Sequence, residues 1–173
     1  DPVIIQPGVY DPSCPTSLSG HENLSPTYGI LGETQDGVQS EYACLDPINV
    51  YPMPKNLSFP EASSMALTFM TAHQMLYERA HIKESDIVLI YGGTSGVGSA
   101  ALQIARDCGC KNILSTVGSK DKMMIALEQG ADAVFIDDAE RTFPKWLNDG
   151  CPSGIFNGGQ IPLDEIPLPR RDV

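Results

Sequence analysis

Positive charge is scarce in this sequence: 11 Lys and Arg stand against 22 Asp and Glu, a formal net charge of −11 at pH 7. Nucleic acid and anionic membrane surfaces are met through basic patches, so no nucleic-acid partner is expected. Long apolar runs are missing too. No stretch approaches the roughly 20 residues that a membrane span requires, and no basic segment leads into an apolar one in the manner of a signal peptide. The five cysteines, Cys14, Cys44, Cys108, Cys110 and Cys151, are odd in number and lack framework spacing. Free thiols in a reducing compartment are expected, the cytoplasm first and the mitochondrial matrix as the alternative. Internal repeats are absent. So is an initiating Met: the chain opens Asp1-Pro2 and is expected to be processed, excised from something longer, or part of a longer protein. What is present is an ordinary globular composition, 42% hydrophobic and 19% charged over 173 residues, which suits about one domain with a core of useful size.

Residues 1–56 are rich in Pro, Gly, Ser and Asn, with short strands expected at Val3–Ile5, Gln39–Cys44 and Ile48–Tyr51. Ser58, followed by Pro60 and Glu61, opens a helix that should run to about Ala80. Ile87-Val88-Leu89-Ile90-Tyr91 is a continuous apolar run between Asp86 and Gly92, the pattern of a strand buried on both faces of a parallel sheet. A helix from Gly96 to Cys108, a strand at Ile113–Val117, a helix at Asp121–Gln129 and a strand at Ala133–Ile136 follow. This alternation is half of a doubly wound (Rossmann) parallel sheet, an α/β fold, with strand order 3-2-1 and right-handed crossovers. Thr142–Leu147 reads as helical despite Pro144, and no convincing element is expected from Gly150 onward.

Tyr91-Gly92-Gly93-Thr94-Ser95-Gly96-Val97-Gly98 lies between a buried strand and a helix. Small residues there let backbone N–H groups approach a pyrophosphate, and the helix N-terminus adds a favourable dipole. The same glycines also permit close helix–sheet packing with no ligand at all. An acid at the end of the second strand is the usual grip on a ribose 2′-hydroxyl. Here that strand ends Val117-Gly118-Ser119-Lys120-Asp121-Lys122. An uncharged strand end followed by ammonium groups suits a 2′-phosphate better, so NADPH is expected over NADH. The bland alternative makes Lys120 and Lys122 solvated residues of a helix's first turn.

Gly93-Thr-Ser-Gly96-Val-Gly98-Ser-Ala-Ala-Leu-Gln-Ile-Ala-Arg106, Gly118-Ser119-Lys-Asp-Lys122 and Gly130-Ala131-Asp132 together resemble the coenzyme domain of the medium-chain dehydrogenase/reductase superfamily, that of zinc-type alcohol dehydrogenases and quinone reductases. Asn56–Ala62, Leu67–Ala72, Gly37–Tyr42 and Tyr28–Glu33 resemble the segment that leads into it. The resemblance covers roughly residues 1–137. It implies a remnant of the family's β-rich, GroES-like catalytic domain at 1–56, a connecting helix at 57–80, a dinucleotide-binding βαβαβ unit at 81–138 and a divergent, loop-rich tail at 139–173. Most of the upstream catalytic domain is then expected to be missing, with Gly154–Gly159 a faint echo of the family's next strand. Carried over residue by residue, Thr71 and Val97 lie against the nicotinamide. Gly93, Thr94, Ser95, Gly96 and Gly98 belong to the pyrophosphate turn, and Ser119 with Lys122 to the 2′-phosphate pocket.

The family's structural zinc lobe spaces four cysteines C-x2-C-x2-C-x7-C. Laid on this chain, those positions are Asp11, Cys14, Ser17 and Ser25, with His21 nearby. One thiol of four is a poor donor set for Zn²⁺. The resemblance also places a catalytic-zinc ligand at Leu67, which cannot bind metal, so zinc is not expected. Catalytic residues are not identified; Tyr28, Tyr51 and His73 are the proton donors one could name. The expectation is a fragment or truncated form of an NADPH-dependent, zinc-independent oxidoreductase acting on a quinone, enone or carbonyl acceptor. The alternative is a non-catalytic relative retained as an accessory subunit of a larger assembly. A homo-oligomer is left open.

Overall fold

The computed structural model describes residues 1–137 and 139–159, which divide into two compact units after Leu67. In the first, β1 (Val3–Ile5), β2 (Gly8–Val9), the short helix α1 (Pro15–Leu18), β3 (Gly29–Ile30) and β4 (Val50–Pro52) are joined by long loops. β1 pairs antiparallel with β4, and β2 with β3. Buried Asn49 ties the two ladders together, its Nδ2 donating to the carbonyls of Gln6 and Gly8 at 2.7 Å each. Two expectations need correction here. Ile48–Tyr51 is strand only from Val50, because Asp46 caps the Ile48 N–H at 3.0 Å and winds Pro47–Asn49 into a 3-10 turn. Gln39–Cys44 is not a strand: it joins no ladder, and its groups bond locally, Ser40 Oγ to Tyr42 O at 2.7 Å. Tyr42, its largest apolar side chain, is 92% exposed, so the segment has nothing to bury.

The unit boundary falls within α2 (Phe59–His73), which continues as a π-helical turn over Gln74–Arg79. The start is as expected. Glu61 accepts from both the N–H (2.8 Å) and the hydroxyl (2.6 Å) of Ser58, the reciprocal arm of a capping box. No helix among the described residues is long and apolar enough to cross a membrane.

In the second unit, β5 (Ile87–Ile90), α3 (Gly96–Asp107), β6 (Asn112–Val117), α4 (Met123–Glu128) and β7 (Ala133–Ile136) form the βαβαβ run, within a residue or two of expectation at most ends. β5 pairs parallel with β6 and β6 with β7, the 3-2-1 order. Val88, Ile90, Ile113, Val117, Val134 and Ile136 face α3 and α4 across a core that includes Ala100, Leu102, Ala105 and Ala126. Asp132 fastens the base of this core. One carboxylate oxygen meets Arg106 at 2.7 Å and the other accepts the Ile113 N–H at 2.8 Å.

The tail is more ordered than the sequence suggested. α5 (Ala139–Asn148) and β8 (Gly154–Asn157) add a further unit, with β8 parallel to β7. Four aromatic rings hold it: Phe135 contacts Phe143, Trp146 and Phe156 at centroid distances of 5.8, 5.9 and 5.4 Å. Trp146 is 2% exposed, and its indole N–H donates to Pro152 O at 2.7 Å. The rings lie on the face opposite α3 and α4, with Leu89, Leu114 and Ala133. All three connections step the same way across the sheet, so the α5 crossover has the opposite hand to the other two. β8 therefore extends the sheet past β7 rather than returning beside β5. Residues 160–173, the rest of the tail, lie outside the described residues.

Candidate cofactor-binding turn

β5 ends in the parallel sheet, and the chain must reverse at once to lay α3 on the strands. Gly92, at φ +64°, makes that reversal, and its carbonyl accepts the Ser95 N–H at 2.8 Å. Gly98 then passes directly over the turn: a Cβ there would overlap the Gly92 carbonyl oxygen. Only glycine fits that approach. Ser95, in an extended conformation, is the N-cap of α3, and its Oγ accepts the Gly98 N–H at 3.1 Å. The next N–H groups, those of Gly96 and Val97, have no partner among the described residues. They are the free donors of a helix N-terminus, and with the dipole they favour an anion.

Two β6 residues that sequence reasoning missed lie at this turn: Thr116 ties it down, and Ser115 packs beneath it. Thr116 of β6 accepts the Gly92 N–H on its Oγ1 at 3.0 Å and the Gly93 N–H on its carbonyl at 3.1 Å. Ser115, fully buried, donates its hydroxyl to Ile90 O at 3.2 Å and fills the space where a Cβ of Gly93 would stand. The available signal was two adjacent hydroxyl residues inside an apolar strand. From the other side, the α2 residue Thr68 lies against Gly96, where an added Cβ would meet its Cγ2 at 3.0 Å.

Beside the turn opens a cleft of about 610 Å³ at the carboxyl ends of β5, β6 and β7, lined in part by Tyr91, Thr116, Val117, Gly118 and Phe135. It also holds Asp137, another residue not foreseen, which ends β7 at φ +60°. Open sheets of this kind bind ligands outside the carboxyl ends of their strands.

The structure thus brings together Gly93, Thr94, Ser95, Gly96, Val97 and Gly98, while Thr71, on the same face of α2 as Thr68, is exposed. Ser119 follows the end of β6 and precedes the 3-10 turn Lys120–Lys122. Its hydroxyl donates to Asp121, which holds that carboxyl below the ordinary aspartate range. Lys122 is exposed at the far end of the turn. Of the proton-donor candidates, Tyr28 and Tyr51 belong to the first unit and are exposed, and the His73 ring packs at a tilt of 40° against Tyr77, centroids 4.7 Å apart.

In the first unit, three of the four positions aligned with zinc ligands do meet. Cys14 Sγ lies 3.1 Å from Ser17 Oγ and 3.5 Å from Ser25 Oγ. These bonds, Ser17 first, lower the thiol's pKa. Asp11 turns elsewhere, to the Ser13 N–H and hydroxyl at 2.8 and 2.6 Å. One thiol with two hydroxyls does not fit the closed donor set of a structural Zn²⁺, and among the described residues no group of three His, Cys, Asp or Glu could hold a metal. Leu67, at the catalytic-zinc position, is apolar and 52% exposed.

No protein-family model matches the sequence. Among curated proteins, the chain is similar to a quinone oxidoreductase of Pongo abelii, 38% identical over 106 residues, 61% of this chain and 32% of that protein. It is also similar to a zinc-type alcohol dehydrogenase-like protein of Schizosaccharomyces pombe, 43% identical over 113 residues, 61% of this chain and 34% of that one. The chain therefore spans about a third of the length of these relatives. Among solved structures, an NAD-dependent alcohol dehydrogenase superposes with a TM-score of 0.72 at 31% identity, over 96% of this chain and 56% of its own. An alcohol dehydrogenase from E. coli complexed with NADH, 23% identical, shares the fold with a TM-score of 0.73 over 91% of this chain and 46% of its own. Over the part of its length that these relatives cover, the chain belongs to the medium-chain dehydrogenase/reductase superfamily.

Proposed function

We propose that this chain is the coenzyme-binding portion of an NADPH-dependent, zinc-independent oxidoreductase whose acceptor is a quinone, enone or other carbonyl compound. One observation carries the reading: the unpartnered N–H groups of Gly96 and Val97 at the start of α3, under a turn that tolerates no Cβ at Gly98, beside an open cleft. That arrangement suits a pyrophosphate. A bound nicotinamide dinucleotide supplies the hydride; the protein's part is to hold and orient it. Ser95, Gly96 and Val97 receive the pyrophosphate, with Gly93 and Thr94 shaping the approach, and Thr71 and Val97 face the nicotinamide. The 2′-phosphate of NADPH takes the Ser119 hydroxyl from Asp121 and pairs with Lys122. The hydroxyl-for-thiol lobe and Leu67 support a zinc-free centre.

Titration calorimetry with NADPH and NADH, on this chain and on Lys122→Ala, tests the reading. The variant should weaken NADPH about ten-fold or more, the loss of one charge-assisted bond of about 1.5 kcal/mol, and leave NADH nearly unchanged. Equal losses for both cofactors would remove the 2′-phosphate assignment. Silence toward both, in this chain and in a longer parent chain alike, would favour the accessory-subunit reading.

A further inference from the structure

We infer that Cys108 and Cys110 form a redox-active dithiol that closes to a disulfide by exchange with a small disulfide such as oxidised glutathione. Cys108-Gly109-Cys110 is the turn that ends α3. Gly109, at φ +90°, folds it back so that the Gly109 and Cys110 N–H groups bond the Arg106 and Ala105 carbonyls at 3.0 and 3.2 Å. Only Gly109 separates the two cysteines, and both pack in the same core cluster beneath α3. Both are free, and their surroundings differ. Cys110 is 1% exposed in the core, whereas Cys108 is half-buried and borders the Tyr77 phenol. The two sulfurs also reach adjacent carbonyls of the segment entering β5: Cys108 Sγ lies 3.9 Å from Ile82 O and Cys110 Sγ 3.2 Å from Lys83 O.

This asymmetry sets the order of events. The Cys108 thiolate, the accessible one, attacks one sulfur of the oxidised glutathione; a Cys108–glutathione disulfide forms and glutathione thiolate leaves. Cys110 then loses its proton and attacks the Cys108 sulfur, expelling the second glutathione. Two protein thiols are oxidised, one glutathione disulfide is reduced to two thiols, and the two protons end on glutathione. Burial raises the Cys110 thiol, which suits the resolving partner, whose attack is intramolecular. Closure removes both S–H donors from the Ile82 and Lys83 carbonyls, so oxidation loosens the segment that leads into β5.

The test uses the whole 173-residue chain, incubated in glutathione buffers of rising oxidation, quenched by alkylation and mapped by peptide mass. Two of the five thiols should become unavailable together, and the peptide carrying Cys108 and Cys110 should be lighter by two hydrogens. Cys110→Ser should instead accumulate glutathione on Cys108. Hydrogen exchange over residues 81–86 should quicken on oxidation of the unsubstituted chain, a readout that needs no variant to fold. Exposed Cys44 reports that the oxidant is competent. If Cys44 is glutathionylated while Cys108 and Cys110 both remain alkylatable, the proposal fails.

Discussion

Replacing Thr116 with Val changes one atom's chemistry at the place where β6 holds the glycine turn. The Thr116 Oγ1 accepts the Gly92 N–H at 3.0 Å, and the valine methyl that replaces it accepts nothing. A neutral hydrogen bond contributes about 1 kcal/mol net. Gly92 is exposed, so its N–H turns to water and the stability loss should fall near the low end, about 0.5 kcal/mol. The larger effect should be on the ligand. The Thr116 carbonyl still holds the Gly93 N–H at 3.1 Å, but the residue before it is released, and the turn presenting Gly96 and Val97 loses one of its two ties to β6. Nicotinamide dinucleotide affinity should drop about five-fold, roughly 1 kcal/mol. Ser115→Ala is the control. It removes a buried hydroxyl bonded to Ile90 O at 3.2 Å and should cost about 1 kcal/mol of stability with little change in affinity. Calorimetric titration and urea unfolding of both variants separate the two effects. If Thr116→Val binds cofactor as tightly as the unsubstituted chain, the hydroxyl does not organise the site and the reasoning is refuted.

The zinc lobe offers a gain-of-function test. D11C/S17C/S25C restores four thiols at the family's spacing around Cys14 and should purify with one equivalent of zinc, against well under one for the unsubstituted chain. A zinc-free triple variant in excess zinc would mean that the loop no longer closes on a metal. The α2 cap should show in acid. Glu61 is held below the ordinary glutamate value of 4.5, first by the Ser58 hydroxyl and then by its N–H. Because the folded value is the lower one, the cap's contribution is fully present above pH 4.5 and fades as pH falls through the folded value. Helix content followed by circular dichroism should therefore decline less steeply with acid in Glu61→Gln, and superimposable profiles would show that the cap contributes nothing.

The βαβαβ run was legible because each signal was local. Ile87–Tyr91 is apolar without interruption, as a strand covered on both faces must be, and the spacing of its glycines announces the turn that follows. Gln39–Cys44 misled because alternation shows only that a strand could bury one face, and says nothing of whether a partner strand exists. The α5–β8 unit was missed for a related reason. Its cohesion comes from four rings spread over positions 135–156, a contact set with neither helical nor strand period. At the site, glycine positions were readable because backbone sterics dictate them. Thr116 was not, since its bond to Gly92 spans 24 residues. Nor could spacing show that Asp121 engages the Ser119 hydroxyl, which sets a carboxylate in competition for the expected phosphate contact.

The lobe around Cys14 and the turn around Gly98 reach order by different means, and the difference bears on which of them can be lost. At the turn, the constraint is steric. A side chain at position 98 collides with the Gly92 carbonyl, so the sequence must keep glycine wherever the turn is kept. At the lobe, contacts between neutral groups join positions that the resemblance aligns with metal ligands: Cys14 Sγ accepts the Ser17 N–H at 3.4 Å, caps α1, and meets two hydroxyls. Two or three such bonds, to a weakly bonding sulfur, hold the three positions together. A structural zinc in small metal-folded domains contributes far more than bonds of this kind. The lobe can therefore keep its local shape without metal while opening far more readily than a zinc-bound one, and its sequence is freer to drift. The dinucleotide turn has no such substitute, because no hydrogen bond can stand in for the missing volume of a glycine.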